Sequence, residues 1–396
     1  MSFLSVLIEY KWTILFYLII ILLVYLNRKR FDIQAKIIAL YRTKIGVRFI
    51  DRFVKGKEKL IKMLGTGGIV LGYIGMIAVF YLLFLLLYNT LKQPTVISAA
   101  PVIPGVPLAG TGLKFPLIIG WISLLIIIVI HEFSHGIVAK AYKQKIKSTG
   151  IAFFGPILGA FVEIDEKKLQ KQPDKVQNSV FTAGPNANII TSIIFLLLLN
   201  LVVAPAAYSM IMPMGVGVEV IEGLPANMSG LRNNDVIVGI NNHSITTIQD
   251  FIDFGYVEPN QTYTFYTEDS RVVEVTARPH PDNESRGQFG INMYTKTKLK
   301  NPTPGNKVLH AVLLWIGELL FWLFLIGINI GLINFLPIFI TDGARMLQIS
   351  LRRIIKDKDN AKRVWLFINK FSLLILLLII VIPIMINLFK WLISLA

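Results

Sequence analysis

The residues with the clearest chemical potential form a cluster of ionisable side chains after a long apolar run. His131, Glu132 and His135 directly follow residues 121–130, which carry no charge. Ionisable groups are costly at membrane depth and usually mark functional sites there. On a helix, His131 and His135 lie on one face, four residues apart, so both ring nitrogens can reach one metal ion. The spacing predicts a metal site in which Glu132 contacts a water on the metal.

A catalytic zinc ion with two histidine ligands needs a third protein ligand, since such sites use three protein ligands and one water. The chain has no cysteine, so the third ligand is a nitrogen or an oxygen. The remaining histidines are predicted in a soluble segment or near the outer end of a span, which leaves a carboxylate. Asp342 matches the predicted depth of the histidines. Glu318 lies 24 residues earlier, about 36 Å along a helix, and is therefore excluded.

Apolar runs identify a polytopic membrane protein. Of 396 residues, 54% are hydrophobic, and six runs are long enough to cross a bilayer. These predicted spans are residues 4–26, 67–91, 115–141, 187–212, 308–338 and 371–388.

Basic residues predict the orientation of the chain in the membrane. Residues 27–63 carry twelve Lys or Arg, whereas residues 92–114 carry two. The first segment is therefore predicted to be cytoplasmic. Alternate threading places the metal site toward the cytoplasmic side of the cell membrane. The net charge of +16 is concentrated in loops that flank the spans, so nucleic acid is not an expected partner.

A short apolar segment, residues 150–162, is interrupted by Gly155-Pro156 and Gly159. It is too short to span a bilayer, and we interpret it as a re-entrant hairpin. Non-helical backbone at that depth is tolerated only beside protein or a water-filled cavity, which would place the hairpin next to the site. An interfacial loop between two spans is the alternative.

Residues 213–300 have short alternating runs in place of continuous apolar ones, which predicts a strand-rich domain outside the cell. Within it, residues 223–226 (GLPA), 230–231 (GL), 234–237 (NDVI) and 240–241 (IN) resemble a PDZ domain. The resemblance implies an α+β fold that binds an extended peptide as an added strand. A β-rich spacer without a ligand is the alternative.

A second motif around the aspartate resembles that of the site-2 protease family of intramembrane zinc peptidases. The family pattern is Asn-x-x-Pro followed by Leu-Asp-Gly, and here Asn334, Pro337 and Asp342-Gly343 match it. Thr341 stands where the family usually has leucine. The resemblance implies that Asp342 is the third ligand of one zinc ion, together with His131 and His135.

Two more elements resemble this family. Residues 183–188 (AGPNAN) are similar to its Ala-Gly-Pro-x-x-Asn element. The similarity implies that Asn188 faces the site and is a candidate to hold a substrate carbonyl or the developing oxyanion; an ordinary interhelical hydrogen bond is the alternative. The stretch 159–162 resembles the family's membrane hairpin, which makes Gly159 and Phe161 candidate substrate-binding residues. The resemblance covers about residues 115–345.

The predicted fold class is a polytopic α-helical membrane protein of about six transmembrane helices with an inserted extracytoplasmic α+β PDZ domain. Two N-terminal spans and a basic cytoplasmic loop occupy residues 1–114. The catalytic membrane core is split between residues 115–212 and 301–345 by the PDZ domain at 213–300. Residues 346–396 form a basic loop and a C-terminal span.

The predicted function is an intramembrane zinc metalloendopeptidase that cleaves a membrane protein, expected to be single-span, within the lipid bilayer. Glu132 would act as general base on zinc-bound water. A membrane-anchored PDZ binding or quality-control scaffold with a degenerate metal site is the first alternative. A metallopeptidase with a glutamate as third ligand is the second.

Overall fold

A computed structural model describes residues 9–34, 38–97, 99, 102–108, 113–154 and 157–393. It divides into two compact units. The first comprises Met1–Leu199 and Glu318–Ala396, and the second comprises Asn200–Gly317.

Eight helices of at least ten residues form most of the described chain. Five of them, α3, α4, α5, α6 and α8, are long and apolar enough to cross a membrane. The first predicted span is represented by α1, which has 16 residues in the described part of the chain, so its spanning role stays a prediction. The helices are α1 (Lys11–Leu26), α2 (Ile45–Val54), α3 (Glu58–Lys92), α4 (Leu117–Ala141), α5 (Asp174–Ser209), α6 (Pro304–Phe335), α7 (Asp342–Ile354) and α8 (Lys358–Ile393).

Small residues bring α3 against α5. Gly68 and Gly72 are buried on α3, and a Cβ at Gly72 would lie 2.5 Å from Thr182 Cγ2. Asn186 Nδ2 donates a hydrogen bond of 2.8 Å to the Gly68 carbonyl. Because lipid tails are as apolar as the side chains, close approach and hydrogen bonds hold such helices together. This packing fixes α5, which carries the Ala-Gly-Pro-x-x-Asn element.

The predicted hairpin is confirmed as an antiparallel pair, β3 and β4, within a larger sheet. The sheet has the order β1-β2-β3-β4, and all of its pairings are antiparallel. Gly155-Pro156, predicted to interrupt the segment, lie outside the described residues. The depth of the hairpin in the membrane stays a prediction. The strands are β1 (Asp32–Gln34), β2 (Ile38–Thr43), β3 (Ile146–Phe154) and β4 (Ile157–Ile164).

The second unit contains a separate antiparallel sheet, as predicted for residues 213–300. Its strand order is β12-β5-β6-β8-β9, with β7 paired to β6, and β10 and β11 form a pair of their own. Val216, Val218, Ile237 and Phe265 are fully buried in its core. The PDZ identity stays a prediction. The strands are β5 (Ile211–Val220), β6 (Val236–Ile240), β7 (His243–Ser244), β8 (Thr262–Thr267), β9 (Val272–Thr276), β10 (Arg278–His280), β11 (Asn283–Gln288) and β12 (Ile291–Leu299).

Candidate active site

Three predicted ligand side chains converge on one point. The Nε2 atoms of His131 and His135 are 3.2 Å apart. Asp342 Oδ2 lies 3.2 Å from His131 Nε2 and 3.3 Å from His135 Nε2. Among the described residues, these three are the ones whose His, Cys, Asp or Glu ligand atoms meet closely enough to hold a metal ion. Helix α4 supplies both histidines one turn apart, and the start of α7 supplies the aspartate.

The donor triangle fits a zinc ion in type and size. Nitrogen and carboxylate oxygen are ordinary zinc ligands, and zinc bonds of 2.0–2.2 Å in a tetrahedron separate the ligand atoms by roughly 3.3–3.6 Å. The observed separations of 3.2–3.3 Å meet the lower end of that range. Three protein ligands leave the fourth position open, which is the pattern of a catalytic rather than a structural site.

His135 is oriented by a backbone carbonyl of α5. Its Nδ1 lies 2.7 Å from the Val180 oxygen. A carbonyl only accepts, so Nδ1 carries the proton and donates it to Val180. In the neutral ring, Nε2 is then unprotonated and able to bind a metal.

Gly184 leaves the space in which the two histidine rings meet. A Cβ at this position would overlap His135 Nε2 and would lie 2.8 Å from His131 Nε2. Any side chain here would therefore occupy the approach to the ligand atoms. Gly184 belongs to the Ala-Gly-Pro-x-x-Asn element, but the sequence alone indicates no role for it in the metal site.

The loop between α6 and α7 places Asp342. Helix α6 ends at Phe335, and the chain turns before Asp342 begins α7. A Cβ at Gly343 would overlap the Phe335 carbonyl oxygen, so glycine permits this close approach. Thr341 is the N-cap of α7: its hydroxyl accepts from Ala344 N–H at 3.4 Å and lies 2.5 Å from the Leu336 carbonyl. The threonine that departs from the family pattern therefore closes this loop.

Replacing Thr341 by Val should destabilise the start of α7. The change keeps the volume but removes the hydroxyl that caps the helix and bonds the loop. Loss of a Ser or Thr cap costs about 0.5–2 kcal/mol. Differential scanning calorimetry of the detergent-solubilised protein should show a lower melting temperature for Thr341→Val than for wild type. Thr341→Ser, which keeps the hydroxyl, should have a melting temperature closer to that of wild type. Equal melting of Thr341→Val and wild type would contradict the role of the cap.

Glu132 contacts the free edge of the sheet. Its Oε2 accepts a hydrogen bond of 3.2 Å from the Val162 backbone N–H. Strand β4 is the last strand of its sheet among the described residues, so the backbone groups on its outer side have no neighbouring strand there. The contact places the predicted general base beside that edge.

A cleft of about 800 Å³ opens onto the metal ligands and Glu132. Its lining includes charged groups on the hairpin, on the segment that follows it and on α7. A charged lining of this kind is compatible with water beside residues that the sequence predicts at membrane depth. The charged residues are Lys147, Glu163, Asp165, Glu166, Lys167 and Arg345.

The remaining predicted residues occupy different positions. Asn334 lines the cleft, and its Nδ2 donates a hydrogen bond to the Ile330 carbonyl. Asn188 Nδ2 lies 3.1 Å from His131 Nδ1. Gly159 and Phe161 lie on β4 and pair with β3, and their contact with a substrate stays a prediction. Val162, which contacts Glu132, and Gly184 were missed because only the folded contacts reveal them.

Glu318 is exposed on α6 and does not belong to the cluster of possible metal ligands described above. This agrees with its exclusion from the metal site. In the fold, the carboxylate that meets the two histidines is that of Asp342 and not that of Glu318.

Comparisons with known proteins identify the family of this chain. The chain is 28% identical over 335 residues to the protein named "Uncharacterized protein MJ0971" of Methanocaldococcus jannaschii, an alignment that covers 82% of this chain and 80% of that protein. It is 24% identical over 230 residues to "Probable protease eep" of Enterococcus faecalis, covering 48% of this chain and 54% of the relative. Residues 119–379 match the model of Peptidase family M50. This stretch contains all three ligand residues and Glu132, and the chain belongs to peptidase family M50, whose members are zinc metalloproteases.

Proposed function

We propose that this membrane protein is a zinc metalloendopeptidase of the site-2 protease type, which cuts transmembrane segments of other membrane proteins. The observation that carries the proposal is the triangle of His131, His135 and Asp342 beside Glu132 at the free edge of β4. Membership of family M50 supports peptidase chemistry. The five apolar helices support action in a bilayer.

The residues divide the chemistry between them. His131, His135 and Asp342 would hold the zinc ion, which when bound supplies a Lewis acid that acidifies water and polarises a carbonyl. Glu132 accepts a proton from the attacking water and later delivers it to the leaving amine. The charged cleft supplies water to this carboxylate.

The edge of β4 is suited to hold a substrate in extended form. A helical segment shields its peptide bonds, so a transmembrane substrate must unwind before water can attack. Backbone N–H and C=O groups alternate in direction along a strand. Since Val162 N–H points to the free edge, Ala160 N–H points the same way and is available to an added strand.

Replacing Ala160 by Pro should reduce cleavage without removing zinc. Proline deletes the outward N–H, and edge positions of this kind tolerate it because the β3 pairing does not use that group. We expect at least a tenfold fall in cleavage rate, measured with a purified transmembrane substrate, and zinc content equal to wild type. Ala160→Ser keeps the N–H and should cleave at a near wild-type rate. Unchanged cleavage by Ala160→Pro would contradict strand addition.

The orientation and partners form part of the same proposal. The metal site faces the cytoplasmic side, as the charge asymmetry of the loops predicts. Residues 213–300, within the second unit, form a PDZ domain outside the cell that binds a peptide, and the peptide adds to β12, an edge strand of its sheet among the described residues. A single-span membrane protein is the proposed substrate.

Zinc dependence tests the proposal against the scaffold alternative. The purified protein should contain one zinc ion per chain and cleave a single-span substrate in liposomes. A chelator should stop cleavage and added zinc should restore it. If the protein binds no zinc, the proposed enzyme is excluded and the scaffold with a degenerate metal site is favoured. Cleavage that the chelator does not reduce would also exclude the proposed zinc enzyme.

A further inference from the structure

The side chain of Asn188 is completely buried against one of the metal ligands. It is 0% exposed, and its Nδ2 lies 3.1 Å from His131 Nδ1. Its Oδ1 is also buried and has no hydrogen-bond partner within the described part of the chain. The amide nitrogen thus contacts the histidine, while the amide oxygen has no hydrogen-bond partner there.

The orientation of this amide depends on the proton of His131. To bind zinc through Nε2, the neutral imidazole must carry its proton on Nδ1. An Nδ1–H needs an acceptor, and the amide nitrogen of Asn188 is only a donor. The oxygen and nitrogen of a carboxamide are nearly the same size, and their assignment follows from the hydrogen-bond network. A half turn of the amide brings Oδ1 to Nδ1 and gives the unpartnered oxygen its bond.

We propose that Asn188 is a positioning residue, whose carboxamide oxygen accepts from His131 Nδ1–H and holds the ring in its zinc-binding tautomer. The proposal rests on the zinc site of the proposed function. It makes the two ligand histidines alike, since His135 Nδ1 already donates to an oxygen of the same helix, the Val180 carbonyl. Helix α5 then orients both rings.

This role differs in one atom from the contact with a substrate carbonyl or oxyanion that the sequence predicts. An oxyanion contact needs the amide N–H to point at substrate, whereas tautomer control needs only an oxygen acceptor. Because the Asn188 side chain has no exposed surface, it is better placed to accept from His131 than to contact a substrate. Aspartate, which accepts and does not donate when ionised, therefore separates the two roles.

The test measures zinc affinity, which needs no cleavage. Zinc is titrated into the apoprotein in competition with a chromophoric chelator, for wild type and for Asn188→Asp, Asn188→Leu and Asn178→Leu. Loss of a residue that orients a metal ligand typically costs 10–100-fold in affinity. We expect this loss for Asn188→Leu, and affinity within threefold of wild type for Asn188→Asp. Asn178 is buried on the same helix and also has an unpartnered Oδ1, so Asn178→Leu is the matched control and should bind normally.

A second readout reports the tautomer itself. Nitrogen-15 NMR of the zinc-loaded wild-type protein, with its histidines labelled with nitrogen-15, should show that His131 is protonated at Nδ1. Normal zinc affinity in Asn188→Leu, or a loss in Asn188→Asp as large as that in Asn188→Leu, would overturn the inference while leaving the zinc protease intact. If Asn188→Asp retains zinc but loses cleavage, the amide contacts the oxyanion, and the inference is overturned as well. A wild type that binds no zinc would overturn the proposed function together with the inference.

Discussion

Replacing Glu132 by Gln is expected to abolish cleavage while zinc stays bound. Glutamine keeps the size of the side chain but cannot take a proton from water. Removal of a general base typically costs 10²–10⁴-fold in rate. Because Glu132 is separate from the three ligand atoms, zinc content should equal that of wild type. Cleavage is measured with a transmembrane substrate in liposomes, and zinc by elemental analysis.

A matched acidic residue nearby provides the control for this variant. Glu163 lines the same cleft but hydrogen-bonds Ser148 and Arg42 instead of reaching the metal ligands. Glu163→Gln should cleave within a few-fold of wild type. Cleavage by Glu132→Gln at the wild-type rate would contradict the assignment of the base, and loss of zinc from this variant would show that Glu132 supports the metal site.

Replacing Gly184 by Ala is expected to remove zinc from the protein. The new methyl group would overlap His135 Nε2 and crowd His131 Nε2, so the rings cannot keep their separation of 3.2 Å. Helix α5 itself should tolerate the change, because alanine in a helix interior is more stable than glycine by roughly 0.5–1 kcal/mol. We expect zinc occupancy below a tenth of wild type, and therefore no cleavage, in a protein that still folds.

A second glycine-to-alanine substitution serves as the control for Gly184→Ala. Gly67 on α3 is exposed, and a Cβ there would meet no atom within 4 Å. Gly67→Ala should retain zinc and activity. Circular dichroism and size-exclusion chromatography check the fold of both variants. Full zinc occupancy in Gly184→Ala would show that the ligand triangle does not form as described.

The residues of the candidate metal site were predictable because their geometry is local or follows from their predicted depth in the membrane. The separation of His131 from His135 is fixed by the helix repeat. Asp342 followed from depth along the spans and from its Asn-x-x-Pro context, and it meets both histidines in the fold. Helix periodicity was sufficient for the two histidines, whereas Asp342 needed both its depth along the spans and the resemblance of its motif to the family.

Contacts between distant segments could not be read from the sequence. Strand β2 comes from the basic segment 27–63 and pairs with β3 more than a hundred residues later, although its charges suggested only a loop. The Val162 N–H is a backbone group whose contact with Glu132 depends on strand register. Gly184 has no side chain to signal its role. In each case the deciding information is packing between elements, which local patterns do not contain.

The cap at Thr341 shows a related limit. The residue is a departure from the family motif and is not a ligand, so the sequence assigned it little weight. In the fold its hydroxyl ends the loop and starts the helix that presents Asp342. Such a role depends on backbone geometry three to five residues away, at a helix start that the sequence did not predict.

If the zinc site cuts peptide bonds inside the membrane, the cut must lie within the transmembrane segment of the substrate, and its position can be measured. A single-span substrate with a helix-breaking residue in its transmembrane segment is incubated in liposomes with zinc-loaded protein, and the products are sequenced by mass spectrometry. We expect one main cut within the hydrophobic segment, absent after chelation and absent with Glu132→Gln. Cuts confined to the soluble parts of the substrate, or a cut that persists in both controls, would contradict this expectation.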